Sequence, residues 1–141
     1  MIRLSATDKK IKEIMTPIIE NKKKELEELR VWLRGLPRPK NYTIEQLDQL
    51  DDLDLRNNQL TSIPNLNLPN LQFLDLLHNR LTSFPNLNLP KLIILYLDNN
   101  QLTSFPNLNL PKLQILYLHD NQLTEESKKY LKSLKIKDLF L

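Results

Sequence analysis

The sequence predicts an α/β repeat solenoid. One short parallel strand per repeat lines a concave face, extended segments return along the convex side, and each end carries a cap. Three observations predict it. A 21-residue block recurs at residues 63–83, 84–104 and 105–125, and the last two copies differ at only four positions. Each block holds a Leu-x-Leu triplet, whose alternate side chains share one face of a strand. Each return segment, such as Pro64 to Pro69, begins and ends with proline, which lacks a donor and disfavours helix.

The pattern within each block is L-x-x-L-x-L-x-x-N-x-L. It runs through Leu50, Leu53, Leu55, Asn58 and Leu60, then Leu71, Leu74, Leu76, Asn79 and Leu81. It returns at Leu92, Leu95, Leu97, Asn100 and Leu102, and at Leu113, Leu116, Leu118, Asn121 and Leu123. A half-copy, Ile136, Leu139 and Leu141, closes the chain. Inward strand leucines, with Leu66, Leu68, Leu87, Leu89, Leu108, Leu110, Ile63, Phe84 and Phe105, are expected to fill the core. Asn58, Asn79, Asn100 and Asn121 each sit at a turn. Buried amides there would bond neighbouring turns, so a structural asparagine ladder is expected.

Over about residues 43–141 this pattern resembles the leucine-rich repeat family, whose fold is a horseshoe. The Pro-x-Leu-x-Leu-Pro returns are similar to the short repeats of bacterial effectors that act inside host cells. That resemblance implies a protein-binding module, delivered into host cytosol by a specialised secretion system, that regulates or inhibits a host protein or an enzyme by occupancy. Some such effectors carry a ubiquitin-ligase domain with a catalytic cysteine. This chain has no cysteine, and no such activity is expected of it.

The ends are expected to be capped. Residues 1–41 form the N-terminal helical region and residues 42–141 the repeats, about four full copies and the half-copy. Thr16-Pro17 reads as a helix restart, with Thr16 as N-cap and Pro17 at the first helical position. Helix 17–34 would then place Ile19, Leu26, Leu29 and Leu33 on one face, with Gly35 as its stop. Thr43 and Gln46 form a capping-box pattern. Glu125 to Ser133 reads as a helix leading into the last strand.

Composition bounds the chemistry. The chain has 141 residues, 40% hydrophobic and 26% charged, the balance of one ordinary globular domain. It has no Cys and two His, which removes disulfides, thiolate sites and histidine-rich metal sites. One Gly against nine Pro implies few left-handed turns. No apolar run reaches the ~20 residues of a membrane helix. The charged, amphipathic start is not a classical signal peptide, so a cytoplasmic location is expected. Residues 1–41 carry 11 basic and 6 acidic residues, residues 42–123 carry 4 and 8, and residues 124–141 carry 5 and 3. An acidic centre between basic ends argues against nucleic acid.

The outward strand positions give the candidate partner-binding face. They are Asp52, Asp54 and Arg56; Phe73, Asp75 and Leu77; Ile94, Tyr96 and Asp98; Ile115, Tyr117 and His119; and Asp138 and Phe140. Phe73, Ile94, Ile115, Tyr96, Tyr117 and Phe140 would make one apolar, aromatic strip, the mark of an interaction site. Asp51, Asp52, Asp54, Asp75, Asp98 and Asp120 read as an acidic rim or as partners for basic groups. Flat strands give no calcium cage. No pocket, nucleophile or oxyanion hole is expected, so neither catalytic nor metal residues, cofactor nor small-molecule substrate is assigned. His78 and His119 read as rim residues. Asn41-Tyr42-Thr43 matches a glycosylation sequon. Lys22, Lys23 and Lys24 read as a solvated helix face. An alternative is a membrane-recruitment adaptor using that basic helix. The free chain is expected to be a monomer.

Overall fold

The computed structural model describes residue 3, residues 5–105 and residues 108–141. Its elements follow in order: α1 (Ala6–Arg34), α2 (Ile44–Asp48), β1 (Asp52–Asp54), β2 (Phe73–Asp75), β3 (Ile94–Tyr96), β4 (Ile115–Tyr117), α3 (Glu125–Ser133) and β5 (Asp138–Phe140). The five strands form one parallel sheet in chain order. Asp52 pairs with Phe73, Phe73 with Ile94 and Ile94 with Ile115, so the sequence period becomes the sheet register. The last pair, Ile115 with Asp138, is two residues longer because α3 occupies the return.

Each strand is three residues long, and its central leucine turns inward. Leu53, Leu74, Leu95 and Leu116 are fully buried, as are Leu55, Leu76 and Leu97 beside them. Leu66, Leu68, Leu87, Leu89 and Leu110 reach the same core from the return side, and Leu108 is half-buried. Phe84 and Phe105 stack at 5.5 Å between ring centroids. Burying each such side chain contributes about 1.5–3 kcal/mol. No single repeat could enclose these leucines alone, so stability comes from stacking. Pro106 and Asn107, part of the third return, lie outside the described residues, as do Met1, Ile2 and Leu4 of the N-terminal region.

Helix α1 covers the first-repeat end of the core with Leu26, Leu29 and Leu33. Asn67 Nδ2 donates to Glu25 Oε2 at 3.2 Å, and Lys22 Nζ donates to the Asn67 carbonyl. At the other end, Leu131 of α3 is buried, and the Tyr130 hydroxyl accepts the Leu108 N–H at 3.2 Å.

The helix restart at Thr16-Pro17 is overturned. Helix α1 is continuous, and Pro17 lies inside it. Its N-cap is Ser5, in a reciprocal pair with Asp8. Pro17 removes one backbone donor, and the Lys and Glu residues in the turns before and after it favour helix and carry α1 through. Ile19 does not join the buried face either. It shares the direction of Leu26 but lies in the N-terminal half of the helix, where it is exposed.

Gly35 ends α1 in a right-handed conformation, φ −84°, so the stop does not use the freedom of glycine. Pro37 and Pro39 follow it and prevent continuation. The expectation of few left-handed turns also fails. Asn57, His78, Asn99 and Asp120, at one position in successive repeats, have φ between 53° and 58°. Asn, Asp and His tolerate this region better than other residues with a Cβ, and they replace glycine here.

Candidate protein-binding face

The left-handed residue lets the chain turn at the end of each strand and aims the next side chain, an asparagine, inward. Asn79 Oδ1 accepts from the backbone N–H groups of Asn58 and Leu60, both at 3.0 Å, while its Nδ2 donates to the Leu55 and Leu76 carbonyls at 3.0 Å. Asn100 accepts from Leu81 N–H and donates to the Leu76 and Leu97 carbonyls. Asn121 accepts from Leu102 N–H and donates to those of Leu97 and Leu118. Asn58 accepts instead from Arg38 N–H at 2.8 Å, beyond the end of the repeats. Among the described residues no buried side-chain polar atom lacks a partner. These bonds fix the backbone beneath the sheet, so the residues between the leucines are free to differ.

Those residues stand in rows across the sheet. One row runs Asp52, Phe73, Ile94, Ile115 and Asp138; the next runs Asp54, Asp75, Tyr96, Tyr117 and Phe140. Beyond the strands come Arg56, Leu77, Asp98 and His119. The Asn57, His78 and Asn99 N–H groups donate to the Leu77, Asp98 and His119 carbonyls in turn.

The aromatic side chains of the second row are stacked. Tyr96 and Tyr117 lie 4.9 Å apart at 7°, and Tyr117 and Phe140 lie 4.7 Å apart at 8°. His119 meets Phe140 edge-on at 6.0 Å. Tyr96 and Tyr117 are half-buried by their neighbours, whereas His119 and Phe140 are exposed. Partial burial, then Tyr117, Asp75 and Asp52, push the Tyr96 hydroxyl above its usual range, so it stays a neutral donor at neutral pH.

The other end of the rows is ionic. Arg56 holds Asp54 with two bonds, Nε to Oδ1 at 2.9 Å and Nη2 to Oδ2 at 2.8 Å, and lies 3.4 Å from Asp75 Oδ2. The Arg56 hydrogen bond lowers the Asp54 carboxyl below its ordinary value. Burial raises that of Asp75 despite the Leu77 N–H it accepts at 3.0 Å. An open hollow of about 390 Å³ lies between Asp52, Asp54, Arg56, Phe73, Asp75 and Tyr96.

The acidic cluster therefore divides. Asp52, Asp54 and Asp75 gather around Arg56. Asp98 accepts the His119 backbone N–H at 2.8 Å, and Asp120 occupies a left-handed turn. Asp51 contributes its carbonyl to the sheet, accepting from Gln72 and Phe73 N–H. His78 is exposed in the left-handed turn of its repeat. The expectation that nothing forms a hollow is corrected, because rows of large and small side chains leave one where Tyr96 meets the aspartates. Tyr42 was missed: it is half-buried beside this end, its hydroxyl raised by burial and by Asp52 and Asp54. It precedes the first repeat, so the repeat pattern carries no signal for it.

A family model described as "Leucine Rich repeats (2 copies)" matches residues 48–89, 69–110 and 90–129 in overlapping registers. Comparison with curated proteins finds no match, and neither does comparison with solved structures. The matched stretches together span more than half the chain and coincide with the strand–turn–return units bonded through Asn58 to Asn121. The chain belongs to the leucine-rich repeat family.

Proposed function

We propose that this chain works by occupancy, binding another protein through the open face of its sheet. Leucine-rich repeats generally mediate protein–protein interaction and are typically without catalytic activity. The observation that carries the assignment to this face is the ordered stack of Tyr96, Tyr117 and Phe140 beside Ile94 and Ile115. Large aromatic side chains already fixed by their neighbours lose little freedom when a partner covers them, and such groups dominate interface energetics. The neighbouring Asp52, Asp54 and Asp75 offer an acidic border that suits a basic rim on the partner and would speed its approach.

The finer reading is a regulator that occludes a functional site of its partner, in the setting of a bacterial effector delivered into a host cell. What supports that setting is the likeness of the Pro-x-Leu-x-Leu-Pro returns to the repeats of such effectors.

The test is affinity capture with the tagged chain, identification of the captured protein, and titration of the purified pair. Tyr96→Ala with Tyr117→Ala should weaken binding by at least about 30-fold, the equivalent of ~2 kcal/mol. Asp54→Lys with Asp75→Lys should slow association and invert its salt dependence, with less effect on dissociation. Lys22, Lys23 and Lys24 changed together to Ser should leave affinity unchanged. Normal binding by the tyrosine variant together with loss in the lysine variant would transfer the working surface to α1.

A further inference from the structure

The N-terminal half of α1 stands clear of the core yet is not polar. Ile11, Ile14, Met15, Ile18 and Ile19 are each 43–56% exposed, whereas Leu26, Leu29 and Leu33 of the same helix are buried. Their spacing places the five on a single stripe, about 140° wide at 3.6 residues per turn. A stripe of that width ordinarily faces a packed neighbour. Among the described residues it faces none.

The charges around the stripe restrict what can cover it. Lys10 and Lys12 lie about 100° to either side of its centre, and Lys23 continues the Lys12 flank along the helix. Glu13 and Glu20 lie on the opposite side, out of reach of anything seated on the stripe. Asp8 is held at the helix start by the Ser5 hydroxyl at 2.7 Å. A second copy seated in parallel would bring Lys10 against Lys12, which disfavours pairing. An occupant with acidic flanks would be paired on both sides.

The direction of the stripe restricts the shape. Its centre lies within about 30° of the face formed by Leu26, Leu29 and Leu33, again at 3.6 residues per turn. The repeats therefore stand beside the stripe, on the side it faces. A flat bilayer would meet the repeats before it met Ile14 and Ile18. A rod about 10–12 Å across, the width of a helix, fits alongside.

We propose that residues 11–19 form a docking stripe for an amphipathic helix of another protein, with apolar anchors at helical spacing and glutamate or aspartate on both flanks. This site is separate from the open face of the sheet and stands or falls without it.

The full chain is titrated with fluorescent synthetic helices of leucine seam, one with glutamate at the flanking positions and one with lysine. The glutamate peptide should bind, and the lysine peptide should bind at least about tenfold more weakly. Ile14→Asp with Ile18→Asp should abolish binding at an unchanged melting midpoint, because both side chains are exposed. Lys10→Glu with Lys12→Glu should reverse the preference between peptides, which checks the site even if the aspartate variant folds poorly. Equal binding of the two peptides, or retained binding in a folded aspartate variant, overturns the proposal. So does sedimentation with phosphatidylserine vesicles in the absence of peptide binding. A reversible dimer that dissociates in the aspartate variant also overturns it, making the occupant a second copy.

Discussion

Strands β1 and β2 and strands β3 to β5 share one backbone, one register and one set of inward leucines, yet their open surfaces are opposite in kind. The first pair shows Asp52, Asp54 and Asp75 drawn around Arg56. The last three show Tyr96, Tyr117 and Phe140 in a stack, with Ile94 and Ile115 in the adjoining row. The ionic half is satisfied in part within itself, since Arg56 is already held by two of its three carboxylates. The aromatic half satisfies itself only edgewise, ring against ring, and leaves its outer surface without a partner. A fixed scaffold thus separates fold from surface. The leucines and asparagines hold the chain in place, and the residues between them are free to differ. Changes to the scaffold should therefore damage both halves, and changes to either surface should leave the fold standing.

The largest effect should come from removing the end of the scaffold. Deleting residues 1–41 strips Leu26, Leu29 and Leu33 from the first repeat and removes the donor to Asn58. The fragment should aggregate or lose its cooperative transition, read by light scattering and thermal melting. A soluble, cooperatively melting 42–141 fragment would make α1 an independent module. Next comes Asn100→Leu, which leaves the Leu81 N–H and the Leu76 and Leu97 carbonyls without this partner. It should cost at least about 1–3 kcal/mol by denaturant titration, and an unchanged midpoint would show that the scaffold does not depend on that amide.

How much of this was legible in the sequence follows the same division. The period, the leucine positions and the parallel order could be read because each repeat restates them, as Leu53, Leu74, Leu95 and Leu116 do. The left-handed residues Asn57, His78, Asn99 and Asp120 were also legible in principle, since each is an Asn, His or Asp directly before the inward asparagine. Scarcity of glycine points away from such turns, but Asn, His and Asp adopt them here without it. Helix α1 is not a repeat, so only local rules applied to it. The Thr-Pro pair suggests a start that Ser5 and Asp8 make unnecessary. The outward positions could be listed by alternation, but their pairing could not. That Arg56 reaches both Asp54 and Asp75 depends on side-chain geometry between repeats, which no spacing encodes.

Smaller effects should separate the two surfaces. Tyr96→Ala with Tyr117→Ala loses the Tyr96–Tyr117 and Tyr117–Phe140 stacks, each worth about 0.5–1.5 kcal/mol. Melting should stay cooperative, at a midpoint only a few degrees lower. Collapse of the fold would place those rings in the scaffold instead.

The smallest effect lies in the ionic half, and it depends on pH. The folded-state value of Asp54 is lowered, so its stabilisation is present above the ordinary value of 3.8 and is lost as pH falls through the lower folded value. Asp75 is raised, so its favourable contribution is complete below 3.8 and is lost as pH rises through the higher folded value. At pH 7 Asp75→Asn should be neutral or stabilising by up to about 0.5 kcal/mol. Asp54→Asn should destabilise at pH 7 and match the parent at strongly acid pH. Melting curves of both variants from acid to neutral pH check these signs. Opposite signs would mean that Arg56 favours Asp75 over Asp54.

The central claim, that the aromatic half of the open face receives a partner, is tested most directly by placing a photoreactive phenylalanine at Tyr117 and, as control, at exposed Asn88 on the return side. Illumination in lysate should give a discrete protein adduct from the Tyr117 position and none from Asn88. Excess parent chain should compete it away, while excess Tyr96→Ala, Tyr117→Ala chain should not. Equal adducts from the two positions, or equal competition by the tyrosine variant, would contradict the claim.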